Sequence, residues 1–125
     1  MADNIGPYST GASTQKPPLF DAGNYGFWKF RMENFLKGVN HMLYNATVKE
    51  TYQVPEIDPD DMNPEELKKY RVNHQAMTAI LCSLTSNEYS QVMGLTTANE
   101  VWRKLEVLHK VTAQVQKAKI QMLVQ

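Results

Sequence analysis

A chain of 125 residues and 14.3 kDa has the length of one domain. An apolar fraction of 42%, with 4 Phe, 2 Trp and 6 Tyr, is enough for a packed core and excludes disorder throughout. The balance of 13 Lys+Arg against 13 Asp+Glu removes the whole-molecule basic signature of a dedicated nucleic-acid binder.

Up to Met62 the chain carries 5 basic and 8 acidic residues, and beyond it 8 basic and 5 acidic, so the two halves are oppositely charged. Cys82, the single cysteine, can form neither an internal disulfide nor a cysteine-rich zinc site, which fits a reducing compartment. No window approaches the roughly 20 apolar residues of a membrane span, and the N-terminus lacks a charged start followed by an apolar run. A cytoplasmic protein is expected, so the glycosylation match Asn45-Ala46-Thr47 is expected to stay unmodified.

In chain order, residues 1–18 are dominated by Gly, Ser, Thr and Pro and predict a flexible arm, without the second-position glycine that myristoylation needs. Pro17-Pro18 stiffens the backbone and delivers Leu19 and Phe20, both expected to dock on the core. Residues 21–26 read as a turn in which Asn24 caps a helix. From Phe27 the apolar residues Trp28, Met32, Phe35, Leu36 and Val39 recur at steps of three and four, the period of a helix face. Residues 40–48 predict a short second helix after a bend near Gly38.

Between Pro55 and Glu66 lie Glu56, Asp58, Asp60, Asp61, Glu65 and Glu66 with no basic residue, broken by Pro59 and Pro64, a pattern expected of a solvated loop. Asn63-Pro64-Glu65-Glu66 is a helix start: a cap, a proline at the first helical position and two acids at the positive end of the dipole. The stripe Leu67, Tyr70, His74, Met77, Leu81 and Leu84 then predicts a long helix buried along that face. A short helix carries Tyr89 and Val92 and stops at Gly94. The capping box Thr97-Ala98-Asn99-Glu100 opens the next, with Val101, Trp102, Leu105 and Leu108 inward. Residues 113–125 favour a further helix without a C-cap, so the sequence is expected to break off inside it. No strand alternation or repeat appears, and the expected fold is all-α, a compact bundle of five or six helices over residues 19–125.

No constellation specifies catalysis. His41, His74 and His109 lack metal-ligand spacing; His74 is expected partly buried on the stripe, and the other two at helix ends or the surface. Cys82 is expected to pack in the core. No GxSxG turn, phosphate loop or calcium loop is present, so neither enzyme activity, cofactor, metal nor small-molecule substrate is expected. Arg103, Lys104, Lys110, Lys117 and Lys119 form the one locally basic stretch, read as a solvated helix face or as weak, salt-sensitive contacts to RNA. Trp28 and Trp102 fall on apolar faces and are assigned to the core with Phe27.

The stretch Pro18-Leu19-Phe20-Asp21-Ala22-Gly23-Asn24-Tyr25-Gly26-Phe27-Trp28-Lys29-Phe30-Arg31-Met32-Glu33-Asn34-Phe35-Leu36 resembles the opening of Gag from plant copia-type LTR retrotransposons. Ala76 to Leu84, Thr97 to Glu106 and Gln114 to Leu123 are similar as well, while Ala22 and Tyr44 depart from the usual glycine and tryptophan. The resemblance implies the N-terminal helical part of a capsid-forming subunit, whose partner is itself and whose particles enclose the element's RNA. Two other classes stay open: a Gag-derived host protein acting as an interaction module, and a binder or enzyme using an interhelical pocket.

Overall fold

The computed structural model describes residues 16–110. Among them are five α-helices and no strand: α1 Tyr25–Val39, α2 His41–Tyr44, α3 Pro64–Ser83, α4 Ser86–Val92 and α5 over residues 98–110. They pack as an all-α bundle around one apolar core. The helix expected at 113–125, Lys117, Lys119 and most of the N-terminal arm lie outside the described residues.

The starts and stops follow from local chemistry. Asn63 Oδ1 accepts from the Glu66 N–H at 2.8 Å while Glu66 Oε1 accepts from the Asn63 N–H at 3.1 Å, closing a capping box ahead of α3. At α5, Thr97 Oγ1 accepts from the Glu100 N–H at 3.1 Å and Glu100 Oε1 from the Thr97 N–H at 3.2 Å. Gly94 follows α4 with φ of +91°, a conformation that strains side-chain-bearing residues. The Asn40 side chain caps α2 by accepting from the Met42 N–H at 2.9 Å. Beyond Tyr44 the coil widens into a π turn, Asn45–Lys49, in which the Glu50 N–H donates to the Asn45 carbonyl.

α1 begins at Tyr25 with Asn24 in the capping position, as expected, two residues before the apolar period sets in. Asn24 makes no side-chain cap bond; instead Asp21 Oδ1 accepts from the Gly23 N–H at 3.0 Å and orders a 3-10 turn, Ala22–Asn24, that leads into the helix.

Trp28, Met32 and Leu36 of α1 meet Leu43 and Ala46, then Val72, Ala76, Met77 and Ile80 of α3, and Ala98, Val101, Trp102 and Leu105 of α5. The Trp28 and Trp102 rings lie 5.6 Å apart, and Phe20 meets Trp28 edge-on at 4.8 Å. The indole N–H of Trp28 donates to the Pro18 carbonyl at 3.1 Å, and the Phe20 N–H to the Ser83 carbonyl at 2.9 Å. Pro18 is buried, so packed chain starts before the boundary expected after residue 18.

Several side chains stand elsewhere than expected. Phe27 is 51% exposed, because the buried line of α1 runs Trp28, Met32, Leu36 and turns Phe27 outward; Val39 is exposed too, and Phe35 only partly buried. On α3 the inner face is Val72, Asn73, Ala76, Met77, Ile80 and Ser83. This is the expected stripe rotated by about one residue, roughly 100° of helix. Met77 alone is common to both lines; Leu67, Tyr70, Leu81 and Leu84 are half-buried at the margin, and His74 and Cys82 are exposed. Leu19 does not dock and is 79% exposed. His109 lies near the end of the described part of α5, as expected, and is half-buried, stacked on Tyr25 with ring centres 5.0 Å apart.

Candidate functional site

Rotation of α3 sends its second-best face outward, and there it lines a concavity. A groove of about 670 Å³ runs between α1 and α3, with Phe35, Val39, Leu43 and Ala79 along its apolar floor and Tyr70, Arg71, His74, Gln75 and Thr78 along its polar side. Asn40, Pro17 and Cys82 complete the lining. The Tyr70 ring packs against the His74 ring at 4.5 Å, fixing both at the rim. Pro17 and Cys82 also line a second hollow, of about 580 Å³, whose other walls are Lys16, Pro18, Leu19 and Arg31. The two share Pro17 and Cys82 as walls, and between them they are lined by Lys16, Arg31, Arg71 and His74 and by no carboxylate.

Beside it, the outer face of α1 carries Phe27 and Phe30, one turn apart, with Phe30 71% exposed. The Arg31 guanidinium lies 5.6 Å from the centre of the Phe27 ring, a cation–π contact that covers part of that ring. One residue round, Lys29 Nζ pairs with Glu106 Oε2 at 2.7 Å and ties α1 to α5. These aromatic residues are the signal the α1 stripe concealed: the helix is apolar on more than one side.

Three of the five basic residues singled out from the sequence are described, and all three sit on α5. Arg103 donates through Nε to Asn99 Oδ1 at 2.9 Å, while Lys104 and Lys110 stand exposed. Arg103 and Lys110 share a face, seven residues apart, which leaves a short basic strip suited to phosphate contact.

Burial pushes the Glu88 carboxyl up, but the Thr85 hydroxyl and Asn87 amide that donate to it, with His109 nearby, outweigh burial and hold it below the ordinary carboxylate value. The Glu100 carboxyl is held low chiefly by the Thr96 backbone N–H. Burial, then Glu106 and Glu33, raises the Tyr25 hydroxyl far above its ordinary value, so it is un-ionised. Among the described residues no three His, Cys, Asp or Glu side chains come together as a metal site, and no helix is long and apolar enough to cross a membrane.

Asn73 was invisible to the apolar pattern yet organises the bundle. Buried in α3, it accepts through Oδ1 from the Ala98 N–H at 2.9 Å and donates through Nδ2 to the Thr96 carbonyl at 3.1 Å, capping α5 from a different helix. Asn99 answers from α5, donating to the Thr47 carbonyl of the π turn at 2.9 Å. Set against models of known protein families, curated proteins and solved structures, the chain finds no match.

Proposed function

We propose that this chain is a non-enzymatic structural subunit of a copia-type retrotransposon capsid, which associates with copies of itself in the cytoplasm into particles enclosing the element's RNA. The observation that supports the reading most is the apolar surface left outside the bundle: Phe27, Phe30 and Leu19 stand 51%, 71% and 79% exposed on neighbouring parts of one small domain. Single exposed apolar side chains are ordinary, but a group of them marks a contact surface. Covering a phenylalanine against a second copy gains about 1.5–3 kcal/mol per side chain, which a symmetric assembly repeats at every contact. The Gag-like sequence blocks supply the kind of assembly, and the basic strip on α5 supplies a weak contact to the enclosed RNA.

Sedimentation velocity and electron microscopy of the chain over a range of protein and salt concentrations test this reading. Concentration-dependent multimers or particles are expected, weakened by Phe30→Ser. A chain that stays monomeric under every condition refutes it.

A further inference from the structure

Oppositely charged halves need not be a passive feature of a neutral protein. The groove between α1 and α3 has an apolar floor that includes Phe35, Val39 and Leu43 and carries Arg71 and His74 on its rim. The adjoining hollow, which shares Pro17 and Cys82 with it, adds Lys16 and Arg31, and neither has a carboxylate among its lining residues. The 55–66 loop has the converse character. Glu56, Asp58, Asp60 and Asp61 are exposed, and Ile57 among them leaves 44% of its surface in water. Among the described residues the one side-chain ion pair is Lys29–Glu106, so there neither the loop acids nor the groove cations pair with an opposite charge.

The loop is also held in shape. Asp58 Oδ1 accepts from the Asp60 N–H at 2.9 Å, and the Asp61 N–H donates to the Asp58 carbonyl at 2.8 Å, forming the 3-10 turn Pro59–Asp61. Prolines 55, 59 and 64 restrict the backbone further. A segment already ordered gives up little entropy on binding. Its own groove is out of reach, because the turn and the Asn63–Glu66 capping box fix the loop ahead of α3, and no loop residue is among the groove lining.

We infer that the groove between α1 and α3 receives the acidic 55–66 loop of a second copy of this chain, with Ile57 against the apolar floor and Asp60 and Asp61 against the basic rim. This assignment rests on the self-association reading and names its contact. Loop and groove are different patches of one surface, so each copy both offers and receives, and such contacts either close a ring or extend an array. Complementary charge steers the encounter and fixes its register, while Ile57 supplies the apolar anchor.

Charge reversal tests the pairing on the whole chain. Arg71→Glu places an acid in the groove opposite the loop's acids, and Asp60→Lys with Asp61→Lys places two cations in the loop opposite the groove's cations. All three positions are exposed, so folding is checked by unchanged helical circular dichroism and melting. In sedimentation velocity each variant alone is expected to associate about tenfold more weakly than the native chain. Their equimolar mixture lets the native loop of one variant meet the native groove of the other, and the reversed charges meet each other, and is expected to recover most of that loss. Variants that associate as well as the native chain, or a mixture that recovers nothing, overturn the loop-in-groove contact while leaving self-association standing. A native chain that never associates removes both.

Discussion

Asn73→Ala measures whether the bundle is organised by its polar crossing rather than by apolar stripes alone. The side chain is 1% exposed and makes two bonds of ordinary length, to the Ala98 N–H and the Thr96 carbonyl. Each such bond contributes about 1 kcal/mol net, but truncation also leaves a buried donor at the first turn of α5 without an acceptor, at about 1–3 kcal/mol. The expected loss is roughly 3 kcal/mol, a large share of the 5–15 kcal/mol typical of a domain, and about 10 °C in Tm at this chain length. The neighbour His74, exposed at the groove rim, is the control: His74→Ala is expected within about 0.5 kcal/mol of the native chain. Urea unfolding followed by circular dichroism gives both numbers, and hydrogen exchange adds a local one, since the Ala98 amide should lose protection in the Asn73 variant first. Equal losses at 73 and 74, or a larger loss at 74, would refute the orientation assigned to α3.

Three further outcomes follow from the same packing. Met32→Ala, at a site with no exposed surface, should cost about 2–5 kcal/mol in urea unfolding, and Phe27→Ala under about 0.5 kcal/mol; the reverse order would return Phe27 to the core. Phe30→Ser should leave the unfolding midpoint unchanged while reducing the multimer fraction in sedimentation, and a loss of stability with intact association would contradict its outward placement. Glu88 and Glu100 titrate below the ordinary carboxylate value in the folded chain, so the unfolded chain binds more protons as pH falls. Their contribution is complete above the unfolded value of about 4.3 and is lost as pH drops through it toward the folded value. The Glu88→Gln, Glu100→Gln double variant should therefore lose stability less steeply below about pH 4.3, and an acid slope equal to the native one would show that neither carboxylate carries it.

Helices were legible wherever their ends carry local chemistry. The box at Asn63 and Glu66, the box at Thr97 and Glu100, and the stop at Gly94 are interactions between residues three or four apart, which a sequence displays directly. Which face of a helix is buried depends on what lies across from it, and there the apolar pattern misled. On α3 it weighted Leu67, Tyr70 and Leu81 for size and passed over Ala76 and Ser83, small residues that are buried all the same. On α1 it counted Phe27 because a phenylalanine beside a buried tryptophan looks apolar in any register. The trans cap from Asn73 had no local signal, since its partners lie 23 and 25 residues away. The groove was hidden for the same reason: its walls come from residues 17, 35–43 and 70–82.

The misread face of α3 and the groove are one physical fact. With Val72, Asn73, Ala76, Met77 and Ile80 turned inward, the larger Tyr70, His74 and Cys82 are carried round to the side that lines the groove against α1. Asn73 enforces that rotation, because its bonds to Thr96 and Ala98 are satisfied only when this edge of α3 points at the start of α5. A sequence with a leucine at 73 would present a cleaner apolar stripe, yet it would leave the first turn of α5 without its acceptor and free α3 to turn its large residues inward. The buried asparagine thus gives up some apolar burial and fixes which surface of α3 faces outward.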